Sequence, residues 1–391
     1  MYEQPGGAFL LTYVPRGASC PPLPRPPARP LALALDLPRC EPPLQQVLNA
    51  CANPLPPVRQ TYELWFKQVL HEVSSVLELF ASPKLDDTAL SLVEQRMGRV
   101  NEIFKILADQ FRVLLTMSPD QFLSFRKHLG SSSGFQSLQF RTLELKLGLR
   151  DESRAAYAKS FRQALGPLAE ELRANTAGCP EGGGSLVQLV DQWLSRMPFL
   201  KLGSFDWWVE YEQAANKMFD EDERRALSQA GLSATEQSEL RARMAATRSE
   251  FGVIFQEEEY NKQGRRLSYP AFKAALLINL YHDEPILQVP FQVLLRLIEV
   301  DEGLSNWRWR HATMVKRMLG SKLGTGGSGG YSYLQQTTSE AYRVFSDLSN
   351  ISTYMLPKDS LPSLPSAIES AMGFAYVDSS GSPSPKRPRK Q

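Results

Sequence analysis

Between Tyr62 and Met117 the chain carries two long runs of apolar residues spaced at threes and fours, and this spacing restricts the fold more than any other feature. Trp65, Val69, Val73, Val76, Leu77 and Phe80 follow one another at intervals of four, four, three, one and three. A helix turning every ~3.6 residues gathers such positions on one face, whereas a strand, alternating every two, scatters them. A second run from about Leu92 to Met117 puts Val100, Ile103, Phe104, Leu107, Phe111, Leu114 and Leu115 on its stripe, with Ser118-Pro119 ending it or capping its successor. Further helices are predicted over about 121–147, 151–175, 186–196, 206–228, 233–258, 270–281, 286–299, 305–319 and 333–348. No strand pattern competes, so the fold class is all-α, a helical bundle.

Proline density marks a different texture before this. Twelve of the 28 prolines lie between Pro21 and Pro57, each removing a backbone donor and opposing helix. Residues 1–57 are expected to be largely extended or disordered, 58–375 to form the helical domain, and 376–391, rich in Ser, Gly, Pro, Lys and Arg, a disordered basic tail. Within that tail Pro385-Lys-Arg-Pro-Arg-Lys390 has the composition of a nuclear-localisation patch, or of an ordinary solvated tail. Two loops are expected at Thr176–Ser185 and Gly320–Gly330, the latter holding six glycines.

The 44 basic and 42 acidic side chains nearly cancel, so nothing advertises a nucleic-acid partner. Cys20, Cys40, Cys51 and Cys179 form no C-x-x-C pair, which argues against a zinc cage or disulfide framework and for reduced thiols in a cytoplasmic protein. No stretch reaches the roughly 18 to 20 apolar residues of a membrane helix.

Four histidines can each be weighed. His128 and His282 sit in polar company, and His71 falls off the apolar stripe, so all three read as surface residues. His311 differs: Trp307, His311, Met314, Val315 and Met318 share one helical face, flanked by Arg308, Arg310, Lys316 and Arg317. A neutral imidazole in apolar surroundings suits a haem iron, and nearby guanidiniums can pair haem propionates, although a satisfied core histidine carries the same pattern. Gly324-Thr-Gly-Gly-Ser-Gly329 matches G-x-G-x-x-G but follows a predicted helix, not a strand, so a dinucleotide site is rejected. Its glycines allow close backbone approach to a ligand, with Thr325 offering one hydroxyl. Arg126, among aromatics, small residues and amides, is placed either to clamp a carboxylate or to sit on the surface.

Three segments together resemble the tryptophan 2,3-dioxygenase family: Tyr62-Glu-Leu-Trp-Phe-Lys-Gln68, Gly134-Phe-Gln-Ser-Leu-Gln-Phe140, and Trp307 through Gly324-Thr-Gly-Gly327 to Tyr331. Arg265–Tyr269, Glu284-Pro285, Val289–Gln292 and Val344–Tyr354 extend the likeness over about Gln60 to Pro362. The resemblance implies an all-α haem protein of the tryptophan/indoleamine dioxygenase type, a homotetramer with one haem b per subunit. It implies insertion of O2 across the indole C2–C3 bond of L-tryptophan to give N-formyl-kynurenine. Carried over by position, it makes His311 the axial iron ligand and Arg126 the carboxylate-binding residue. Thr325 becomes the contact to the substrate's ammonium and carboxylate end, with Phe122 and Ser133 beside it.

The sequence departs from the family just upstream. Arg59 stands where the family has a histidine that contacts the indole nitrogen, Leu55 where it has a phenylalanine, and the family's upstream tyrosines are replaced by the Pro38–Pro43 region. An always-charged guanidinium cannot accept the indole proton. Two functions follow, an active dioxygenase or a catalytically impaired haem-binding or interaction subunit.

Overall fold

The computed structural model describes residues 55–126, 137–149, 184–228, 233–322 and 330–373. The first two helices, α1 (Leu55–Ala81) and α2 (Asp87–Leu114), form an antiparallel pair. Helix α1 begins within the stretch expected to be extended, running through Pro56-Pro57. The first turn tolerates this because its N–H groups have no intrahelical acceptor. Asp86 caps α2 by accepting the Ala89 N–H at 3.0 Å. The stripes face each other with one adjustment: on α1 Phe66 is buried at 3% exposure, while Trp65 is half-buried at the margin.

The expected 121–147 helix is present as α3 (Pro119–Arg126) and α4 (Leu138–Leu147), the latter capped by Ser137 and closed by Gly148 at φ +105°. Residues 127–136 and 150–183, including the expected 151–175 helix, lie outside the described residues. Then follow α5 (Leu186–Leu194), a two-residue β-ladder (Lys201–Leu202 with Phe205–Asp206), α6 (Trp207–Leu227), α7 (Ala234–Gly252), α8 (Glu257–Lys262) and α9 (Tyr269–Leu280). Helix α9 is apolar over most of its circumference apart from Lys273 and Asn279, its residues Ala274 to Ile278 fully buried, as befits a helix enclosed by others.

The sequence predicts two helices over 286–299 and 305–319; they are one, α10 (Pro285–Leu319), of 35 residues. Its midpoint glycine explains the continuity. A Cβ on Gly303 would meet Phe104 Cβ at 3.0 Å, so the absent side chain lets α10 lie close against α2. Asn101 fastens the two helices, its amide donating to the Arg296 carbonyl at 3.1 Å and to Glu299 at 2.8 Å, while Arg296 pairs Glu94 at 2.8 Å.

The expected 333–348 helix is replaced by α11 (Gly330–Gln336), a 3-10 turn at Glu340–Tyr342 and the short α12 (Ser346–Ser349). Buried Asp301 of α10 interrupts it by accepting the N–H groups of Val344, at 2.9 Å, and Phe345. Once those donors are committed to a carboxylate, they cannot serve a helical ladder. A last helix, α13 (Ser366–Met372), packs on α10 through buried Ile368 and Met372.

Candidate haem-ligand site

His311 lies on α10 one turn after Trp307, and helices α1, α2 and α4 supply its surroundings. The Phe111 ring stacks on the imidazole at 5.5 Å and 13°, and Trp307 lies 5.6 Å away. Behind Trp307 stand Phe140 at 4.9 Å, Phe66 at 5.8 Å, Phe111 at 6.0 Å and Tyr62 at 6.1 Å. The α1 and α2 stripes thus end in an aromatic wall around one imidazole. Removal from water lowers the His311 pKa from 6.5 to about 4, with the charge of Arg141 adding to the effect. The ring is neutral at pH 7, and no hydrogen bond engages either nitrogen among the described residues.

The other described histidines are occupied or solvated. His71 is exposed on α1. His282 is less exposed than the sequence implies: it stacks on Phe291 at 4.6 Å and its Nδ1–H donates to the Asn279 carbonyl at 2.7 Å. His128 is outside the described residues. Ligation by one desolvated imidazole is the haem arrangement, so the donor present at His311 fits the group the sequence suggests. Tyr62, on the far side of Trp307, gives its hydroxyl proton to the Leu107 carbonyl at 3.0 Å.

Helix α3, carrying Phe122 and Arg126, packs on α10, and both side chains are half-buried. Ser133 and Thr325, with the Gly324–Gly329 loop, lie outside the described residues. Arg59 is on α1 with its side chain exposed.

Two of the three arginines flanking His311 are engaged within the protein. Arg308 is buried and pairs Glu144 at 2.8 Å, Arg310 reaches Asp109 at 3.2 Å, and Lys316 lies over the Tyr331 ring at 4.8 Å. Sequence reasoning passed over Arg141 and Glu144, which form a buried pair at 2.7 Å on α4. Their spacing of three is the ordinary signature of a solvated helix pair. A separate cleft of about 630 Å³, lined by Arg265, Arg266, Asp347 and Tyr354, shares no residue with the His311 surroundings. Arg265 there donates to the Tyr354 hydroxyl at 2.6 Å and Arg266 to the Gly148 carbonyl at 2.8 Å.

Fold and site together define an all-α protein in which one long helix carries a neutral imidazole inside an aromatic wall. Comparison with known proteins narrows this. Residues 57–355 match the family described as Tryptophan 2,3-dioxygenase. A tryptophan 2,3-dioxygenase of Alteromonas mediterranea is 44% identical over 81% of this chain and 88% of its own length. Those of Mus musculus and Dictyostelium discoideum are 42% and 40% identical, each over 82% of this chain and over 79% and 80% of their own lengths. The chain belongs to the tryptophan 2,3-dioxygenase family.

Proposed function

We propose that the chain is a haem-dependent tryptophan 2,3-dioxygenase that converts L-tryptophan and O2 to N-formyl-kynurenine, with His311 as the axial ligand. The observation that supports this, beyond family membership, is the imidazole set among Phe111 and Trp307, neutral at pH 7 and without a competing hydrogen bond among the described residues. When bound, haem b supplies the O2-binding and redox chemistry by which both oxygen atoms enter across the indole C2–C3 bond.

The chain's own residues position the substrate and exclude water. Arg126 offers two parallel N–H donors to the substrate carboxylate, Thr325 a hydroxyl to the same end of the molecule, and Phe122 and Ser133 walls beside it. A clamp at one end fixes the indole at the other, and such orientation accounts for much of the rate an enzyme gains. No proton-transferring role is assigned to Arg59, which is always charged and faces solvent.

The same proposal includes a homotetramer. Trp309 on α10 is 58% exposed, and Ile106 and Val113 on α2 are 43% and 48% exposed, apolar surface that a second copy would cover. The four widely spaced cysteines suit a reducing cytoplasm. No described helix is long and apolar enough to cross a membrane.

The test is an anaerobic ferrous spectrum of the purified chain, followed by O2 and L-tryptophan with N-formyl-kynurenine absorbance as readout. Haem and product are expected, and His311→Ala is expected to lose stoichiometric haem. Haem without product would reduce the chain to a haem-binding subunit. Absence of haem, or its retention in His311→Ala, would overturn the proposal.

A further inference from the structure

Three charged side chains are buried where α4 meets α10. Glu144, 3% exposed, receives Arg141 Nη1 on Oε2 at 2.7 Å and Arg308 Nη2 on Oε1 at 2.8 Å. Arg308 uses Nη1 on the Tyr342 carbonyl at 3.1 Å. Burying a carboxylate with two guanidiniums incurs desolvation that the pairing often fails to recover, and apolar residues of similar volume are frequently as stable. Stability alone is therefore a weak reason for the cluster, and its position suggests a stronger one. Arg308 is one turn before His311 on the same helix. Arg141 lies over the Phe140 ring at 4.9 Å, Phe140 is 4.9 Å from Trp307, and Trp307 is 5.6 Å from His311.

We propose that Glu144 is a positioning residue for the dioxygenase reaction. By engaging both guanidiniums it fixes the turn of α10 that carries His311, and it holds the partly compensated charge of Arg141 at a set place near the imidazole. This rests on His311 being the axial ligand. Groups behind a ligating histidine tune the metal through orientation and local charge. Loss of the carboxylate leaves two cations less compensated, which disfavours ferric iron relative to ferrous and raises the midpoint potential.

The experiment compares haem-loaded wild type, Glu144→Gln, Glu144→Asp, Arg141→Met and the Glu144→Gln/Arg141→Met double variant. It reads haem per chain and the ferric/ferrous midpoint potential by spectroelectrochemistry. Glu144→Gln is expected to shift the potential upward, Glu144→Asp, which keeps the charge, to return toward wild type, and the double variant to return as well. An unchanged potential in haem-loaded Glu144→Gln, with only stability or haem content lowered, would mark Glu144 as merely structural and overturn the inference. Should that variant not fold, Arg141→Met carries the test: a downward shift is expected, and an unchanged potential overturns the inference. A wild type without haem removes the ligand assignment and this inference together, whereas an insensitive potential removes this inference alone.

Discussion

Protonation of His311 should set a measurable part of the haem-free protein's acid sensitivity. The folded-state pKa is held at about 4 against 6.5 for the free side chain, so as pH falls the unfolded chain takes up the proton first. Stability attributable to this residue is therefore present above about pH 6.5 and lost as pH falls through the window toward 4. Linkage over that interval gives a loss of about 2 kcal/mol between about pH 7 and pH 5. Solvent screening of the half-buried residue brings it to about 1–2 kcal/mol. His311→Phe removes the titration while keeping an aromatic ring against Phe111 and Trp307. Urea unfolding of both apoproteins, followed by far-UV circular dichroism across the window, isolates the term as the difference between their pH slopes. The variant should lose about 1–2 kcal/mol less than wild type on acidification. Parallel slopes would refute the desolvation argument.

Three further perturbations address the clamp and the frame. Arg126→Leu should raise KM for L-tryptophan by roughly 10- to 150-fold, the worth of charge-assisted hydrogen bonds, while leaving the haem spectrum in place. Steady-state kinetics with unaltered KM would discard the clamp. Gly303→Val should destabilise the fold by about 1–3 kcal/mol, because its Cβ meets Phe104 Cβ at 3.0 Å; an unfolding midpoint equal to or above wild type would mean that α2 and α10 separate freely. Asp301→Ala, which strands two buried N–H groups, should cost about 1–3 kcal/mol, with unchanged thermal stability counting against that anchor.

Much of the architecture was legible because burial follows periodicity. The stripes of α1 and α2 and the placement of His311 beside Trp307 could be read from spacing alone, since each depends on local helical geometry. What escaped depends on partners distant in the chain. The merging of two expected helices into α10 turns on Gly303 meeting Phe104, and the broken helix after Gln336 turns on Asp301. A glycine and an aspartate read locally as breakers, and only the packed neighbour reveals that one permits close approach while the other captures distant amides. Arg308 likewise read as a propionate partner until Glu144 was seen to hold it. Arg126 and Arg59 were legible as family positions, not as physical ones, because neither lies in a pattern that periodicity distinguishes.

The fastening of α2 to α10 by Asn101 spans 195 residues of sequence, whereas the Arg99–Glu72 pair joining α1 to α2 spans 27. Loop-closure entropy grows as (3/2)RT ln n, so the longer closure costs about 1.7 kcal/mol more before any contact rewards it. The α1–α2 hairpin is thus favoured to form early and present an uncovered apolar face until α10 arrives. Because the His311 surroundings draw on α2, α4 and α10, they are completed at that late step. Iron ligation would then report arrival of α10, and the nascent chain would spend its interval of greatest aggregation risk before a cofactor could stabilise it.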